Sequence, residues 1–192
     1  MHHALAGAVL CSTRQYPWEV LPCIKEYILL LGSTLPPSEY AHPAEGIWIS
    51  RSAVLAPTAV IQPPAILCEE TEVRHCAFIR GSVIIGKSCV VGNSTEIKNA
   101  VLFDNVQVPH FNYIGDSILG YKAHFGAGAI TSNVRSDRLP VRVKCADLFT
   151  VETGLKKFGA MVGDYTELGC NSVLNPGTVI GRRCTVYPTS CV

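Results

Sequence analysis

The sequence predicts an all-β fold, a left-handed parallel β-helix built from hexapeptide repeats, with an N-terminal capping helix and a projecting hairpin. Two observations carry that prediction. Bulky residues recur at every sixth position, from Ile49 through Leu55, Ile61, Leu67, Val73, Ile79, Ile85, Val91 and Ile97 to Phe103 and Pro109. Four residues after each stands, with few exceptions, a smaller side chain, such as Ala53, Ala59, Ala65, Thr71, Ala77, Val83, Cys89, Thr95 and Val101, the series running on to Gln107 and Tyr113. A period of six with two inward positions matches neither the 3.6-residue helix nor the alternating strand. It matches a solenoid in which six residues make one short strand and a turn, and stacked coils bury a shared core.

The elements follow in chain order. Residues 1–46 form an N-terminal helical cap and linker, and 47–192 form the β-helix, interrupted by an insertion at 134–157. Within PWEVLPCIKEYILLLGSTL, residues 17–35, a helix starts near Pro22 and stops at Gly32. Ile24, Tyr27, Ile28 and Leu31 share one stripe, which suits a cover across the open first coil, or else an oligomer contact. Pro36, Pro37 and Pro43 mark an extended connection.

Past Pro109 the period breaks and resumes four residues on at Tyr113, then Leu119, Phe125 and Thr131, with Ser117, Ala123 and Ala129 as small partners. In the insertion Val141, Val143 and Cys145 alternate with Arg142 and Lys144, and Leu148 to Val151 follow, the pattern of a β-hairpin arm able to reach a neighbouring subunit. The period returns at Val162, Leu168, Leu174, Ile180 and Val186.

Composition narrows the function. The 192 residues are 48% apolar with a net charge of +1, enough for one continuous core. No long Lys/Arg block supplies the electrostatic footprint of a nucleic-acid binder. No apolar run reaches about 18 residues, and residues 1–10 lack the pattern of a signal peptide, so a cytoplasmic protein without membrane contact is expected. The nine cysteines contain no CxxC pair and no disulfide spacing. Cys89 and Cys184 fall on small inward positions and suit small core hydrophobes.

The position after each bulky residue faces outward, and there the sequence offers Arg80, Lys98 and His110. With three hexapeptides per coil, Arg80 and Lys98 stand on one corner of successive coils, roughly 4.8 Å apart. No acidic residue occupies the matching position, so two such cations repel unless an anion lies between them, and a phosphate is the expected guest.

The segments PHFNYIGDSILG (residues 109–120) and FGAGAITSN (125–133) resemble the acetyltransferase half of the bifunctional bacterial N-acetylglucosamine-1-phosphate uridyltransferase and glucosamine-1-phosphate acetyltransferase enzymes. ETGLKKFGAMVGDYTELGCNSVLNPGTVIG, residues 152–181, looks closer to the archaeal-type sugar-1-phosphate nucleotidylyltransferase/acetyltransferase branch. The resemblance covers roughly residues 45 to 192.

It implies a trimeric, acetyl-CoA-dependent N-acetyltransferase of UDP-N-acetylglucosamine biosynthesis, acting on glucosamine or galactosamine 1-phosphate at sites between subunits. Arg80, Lys98, His110 and Tyr113 reproduce the spacing of its amino-sugar phosphate site. His124 stands where the bacterial enzymes have a sugar-contacting Asn. The resemblance further implies that Ala127, Asn133 and Cys170 contact acetyl-CoA, with Lys156, Lys157, Arg182 and Arg183 as looser candidates for its phosphates. No Gly-rich nucleotide loop opens the chain, so no uridylyltransferase half is expected in it, and the regular repeat running up to Val192 suggests a truncated C-terminus.

The chemistry can be assembled from these parts. Acyl transfer to an amine needs a base and an oxyanion donor. His110 is the candidate base, Arg80 and Lys98 would hold the phosphate with Tyr113 adding a hydroxyl, and amides around Gly126 to Gly128 would line the acyl end. On an ideal prism His110 stands about one strand length, roughly 15 to 18 Å, from the Arg80 and Lys98 column. Either the break at Pro109 swings it inward or a second subunit closes the site. No metal is expected for this transfer. Two alternatives are a non-catalytic solenoid for assembly or sugar-nucleotide sensing and, more remotely, a γ-type carbonic anhydrase using His75 and His110, for which a third histidine ligand is missing between Asn112 and Ser117.

Overall fold

The computed structural model describes residues 15–144 and 149–192. The reading of residues 1–10, and Cys145 and Leu148 of the arm, lie outside the described residues. The chain winds a left-handed parallel β-helix of three faces. The first face stacks the strands Ile47–Ser50, Ala65–Leu67, Val83–Ile85, Ala160–Val162 and Thr178–Ile180. The second stacks Val54–Leu55, Glu72–Val73, Val90–Asn93, Gln107–His110, His124–Phe125, Glu167–Leu168 and Thr185–Val186. The third holds Val60–Ile61, Phe78–Ile79, Ile130–Thr131 and Val173–Leu174. Two longer strands, Glu96–Leu102 and Tyr113–Leu119, run from the third face into the first.

Those long strands correct the register expected beyond Ile97. Ile61 pairs with Ile79 and Ile79 with Ile97, eighteen residues apart each time, but Ile97 pairs with Ile114 and Ile85 with Leu102, seventeen apart. One residue is missing at the corner of Asn99 and again at the corner of Asp116, both left-handed (φ +48° and +47°). The core therefore takes Leu102, Val108 and Ile114 as its bulky residues, not Phe103, Pro109 and Tyr113. Its small partners are Ala100 and Val106, not Val101 and Gln107, and Asn112 is buried where Tyr113 was expected. From Leu119 onward the two registers coincide, and Ser117, Ala123 and Ala129 are fully buried.

The N-terminal segment is a 3-10 turn, Pro17–Cys23, leading into an α-helix, Ile24–Gly32. Its placement differs from a cover over the open coil. Trp18, Val20, Leu21, Ile24 and Ile28 pack on Ile66, Ile84, Val101, Ile118 and Met161, the outward side chains of the first face, so the helix lies along a flank. Burying that second apolar layer stabilises at roughly 25 cal/mol per Å² of surface removed from water.

The arm is an antiparallel hairpin, Arg142–Lys144 against Thr150–Glu152, but it does not stand clear of the body. Val141 and Val143 are buried with Phe158, which packs against Trp18 at 5.7 Å between ring centroids. Gly177, at φ +87°, lets the base of the arm approach: a Cβ there would meet Arg142 O at 2.7 Å. Among the described residues no helix is long and apolar enough to cross a membrane. Cys89 is buried in the core, whereas Cys184, on the last coil, is exposed.

Candidate functional site

The missing residue at two corners creates the site. Asn99, Asp116 and Asn133 stand seventeen residues apart on one corner and are hydrogen-bonded as a ladder. Asn99 Nδ2 donates to Asp116 Oδ1 at 2.8 Å and Asn133 Nδ2 to Asp116 Oδ2 at 2.5 Å. Asp116 is 5% exposed, and its two amide donors satisfy both oxygens. Asn133, the residue the resemblance assigned to the coenzyme, stands on this corner through its bond to Asp116.

Beside the ladder run the outward positions Arg80, Lys98 and Gly115, in register on successive coils. Lys157, from the end of the insertion, joins Lys98, and Arg80 acts on Lys98 as well. Burial first, then the Lys157 charge, lowers the proton affinity of the Lys98 ammonium, with Asp116 opposing. Lys157 is thus a neighbour of the phosphate candidate Lys98. The matching position itself carries no acidic residue, but a carboxylate stands beside it: Glu96, two residues before Lys98 on its strand, accepts from Arg80 Nη1 at 2.6 Å. Tyr113 is half-buried, and burial, then Asp116 and Glu96, push its phenol above the ordinary value, which keeps it a hydrogen-bond donor at neutral pH.

The remaining candidates lie elsewhere. His110, Ala127 and Cys170 stack on the corner between the second and third faces, where Gly128 N donates to His110 O at 3.0 Å and Asn171 N to Ala127 O at 2.8 Å. His110 is exposed beside Phe111, itself 62% exposed. Its backbone is held by the buried Asn112, whose Oδ1 accepts from His110 N at 3.0 Å. Between His110 and Gly115 the chain turns the corner at Phe111, left-handed at φ +52°, and then crosses the third face from Tyr113. Within one chain the imidazole therefore stands at the opposite edge of the third face from the cations.

Gly126 N and Gly128 N, expected to face an acyl group, already donate to Leu168 O and His110 O between coils. His124 is on the second face, its Nδ1 2.8 Å from Glu167 Oε2, and does not join the cation group. Arg182 and Arg183 stand on the third corner, where Arg183 lies 4.8 Å over the Tyr165 ring and Arg182 faces Asp164 at 3.5 Å. No group of three metal-ligating side chains occurs among the described residues.

The motifs did not reveal Glu96, Asp116, Asn99 or Asn112 as parts of the site. One signal was present for the ladder, the equal spacing of Asn99, Asp116 and Asn133. Together these residues set three cations, Arg80, Lys98 and Lys157, against two carboxylates, with a phenol donor at hand. That is a cradle for an anion, preferably one carrying a further polar group.

Fold and site define a hexapeptide-repeat solenoid with a cationic, hydrogen-bonded corner. The comparisons with known proteins point the same way. The bifunctional protein GlmU of Methanococcus vannielii is 33% identical over 140 residues, 73% of this chain and 29% of that protein. The bifunctional sugar-1-phosphate nucleotidylyltransferase/acetyltransferase of Sulfurisphaera tokodaii is 33% identical over 97 residues, 50% of this chain and 24% of that protein. The resemblance drawn from the motifs is borne out, and this chain spans less than a third of the length of either relative. Residues 61–154 match the family described as the GMPPB C-terminal domain. A hexapeptide transferase family protein from Anaplasma phagocytophilum superposes with a TM-score of 0.44 at 19% identity, covering 70% of this chain and 69% of that one.

Proposed function

We propose that the chain transfers an acetyl group from acetyl-CoA to the amine of an amino-sugar 1-phosphate, glucosamine or galactosamine 1-phosphate. The observation that carries this reading is the convergence of Arg80, Lys98, Lys157 and Tyr113 around the Asp116 ladder. Such a group suits a phosphate dianion, and relatives named for sugar-1-phosphate and acetyl transfer supply the class of reaction.

In this reading the phosphate spans Lys98 and Arg80, with the Tyr113 hydroxyl donating to it. The 2-amine attacks the thioester carbonyl, the N–C bond forms, the C–S bond breaks, and the coenzyme leaves as thiolate while a base takes the amine proton. His110 is assigned as that base. Because it stands at the far edge of its own third face, it serves the cation corner of a neighbouring protomer in a homotrimer, and Ala127 and Cys170, stacked on the His110 corner, approach the coenzyme there. His124 contacts substrate only across the same interface. A cytoplasmic location, where acetyl-CoA is made, belongs to this reading.

The test is free-thiol release from acetyl-CoA with a panel of hexosamine 1-phosphates, for the wild type and His110→Ala. Turnover lost in a variant that keeps the wild-type oligomeric state supports the assignment. The separation of His110 from the cations within one chain favours a second reading, a solenoid that binds sugar phosphates without turnover. Binding with no thiol release from any amino sugar would select it.

A further inference from the structure

The carboxylate found among the cations has a use that the acetyl-transfer reading does not assign. Glu96 and Arg80 form a cross-strand pair at 2.6 Å, with both side chains more than a third exposed. Arg80 is also steadied by the Phe78 ring, 5.8 Å from its guanidinium carbon. Glu96 pairs in register with Tyr113 on the next coil and with Phe78, two residues before Arg80, on the previous one, so it belongs to the strand between those that carry the guanidinium and the phenol. An anion arriving at Arg80 competes with Glu96, which already holds Nη1, and a carboxylate beside a phosphate is repelled by it. A purely anionic ligand therefore meets an opposing charge.

A ligand bearing a phosphate and an ammonium on adjacent carbons removes that penalty. Its phosphate replaces the carboxylate on Arg80 and Lys98, and its ammonium replaces the guanidinium on Glu96. One internal ion pair is exchanged for two intermolecular ones with no charge left over. We propose that Glu96 is a specificity-determining residue that selects amino-sugar phosphates over their hydroxyl counterparts by this ion-pair exchange. The proposal rests on the substrate class given above and adds the group that recognises the amine. Glu96 receives the ammonium in the resting complex, and the amine becomes nucleophilic when a base removes its proton.

Calorimetric binding of glucosamine 1-phosphate, glucose 1-phosphate and inorganic phosphate, to the wild type and to Glu96→Gln, tests it without turnover. The wild type should bind the amino sugar about tenfold more tightly than the hydroxyl sugar, the scale of one charge-assisted hydrogen bond. In Glu96→Gln that ratio should fall to about one while inorganic phosphate binds as well or better, which also reports an intact fold. An unchanged ratio in the variant, or equal binding of both sugars by the wild type, would overturn the Glu96 assignment and leave the anion site standing. Failure of the wild type to bind any of the three would remove the anion site and the assignment with it.

Discussion

The phenol of Tyr113 folds back over Gly115, so that a Cβ on Gly115 would stand 2.5 Å from the Tyr113 hydroxyl. Gly115 pairs with Lys98 one coil earlier, so the hydroxyl fills the place that a third outward side chain would take beside Arg80 and Lys98. Gly115→Ala should swing the ring away and weaken inorganic phosphate binding by about tenfold or more, as expected for loss of one hydrogen bond to a charged group. The thermal midpoint should barely move, because the obstructed atoms are the far end of a side chain. Calorimetry paired with a thermal melt reads both, and full affinity in the variant would exclude the hydroxyl as a phosphate donor.

Lys98 gives the site a pH signature. Burial and Lys157 lower its proton affinity in the free protein, and a bound phosphate must raise it again. Phosphate binding should therefore take up protons on the alkaline side, and affinity should fall as pH rises through the folded-state value of Lys98. Binding heats in two buffers of different ionisation enthalpy detect the uptake, which Lys98→Met should abolish. Lys98 loses its role if the wild type binds phosphate at alkaline pH with no proton uptake.

Phe158 fixes the arm and the N-terminal helix to the body in one contact, being fully buried beside Trp18, Val141 and Val143. Phe158→Ala should cost about 3 to 5 kcal/mol of unfolding free energy by denaturant titration. Anion affinity should drop too, because Lys157 is the preceding residue. A loss below about 1 kcal/mol, the average for any point mutation, would mean that the arm docks by other contacts.

Cys68 lies buried on the first face beside Tyr40, and burial, then Glu69, push its thiol from about 9 up to about 12. A group whose folded value is raised contributes stability that is complete below its unfolded value and lost as pH climbs toward the folded one. Wild-type stability should accordingly fall between about pH 9 and 12, and Cys68→Ala should flatten part of that decline. Superimposable alkaline melts of the two proteins would refute the assignment.

The β-helix was legible because its driving force is periodic. Inward residues from Ile49 to Ile97 repeat every sixth position, and each coil must bury both its bulky and its small inward residue. The same pattern misled from Phe103 to Tyr113. The first face is apolar on both sides, since Val101 faces the helix while Leu102 faces the core. An apolar run covered on both sides carries no alternation from which to read register, so a contraction of one residue at Asn99 passed unseen. Placing the helix failed for the same reason: Ile66, Ile84, Val101 and Ile118 ask for a cover only once they are known to share one outward face.

By itself the chain of residues determined the solenoid, the helix, the hairpin and the spacing of Arg80, Lys98, His110 and Tyr113, because each is written in local periodicity or fixed intervals. Only the tertiary structure decided which of those residues meet. Glu96 reaches Arg80, Asp116 gathers Asn99 and Asn133, and Lys157 comes to Lys98 from across the insertion, whereas His110 is left on another corner. The physical reason is that one residue more or less at a corner turns every following side chain on a rigid wall, and a linear pattern does not contain that angle.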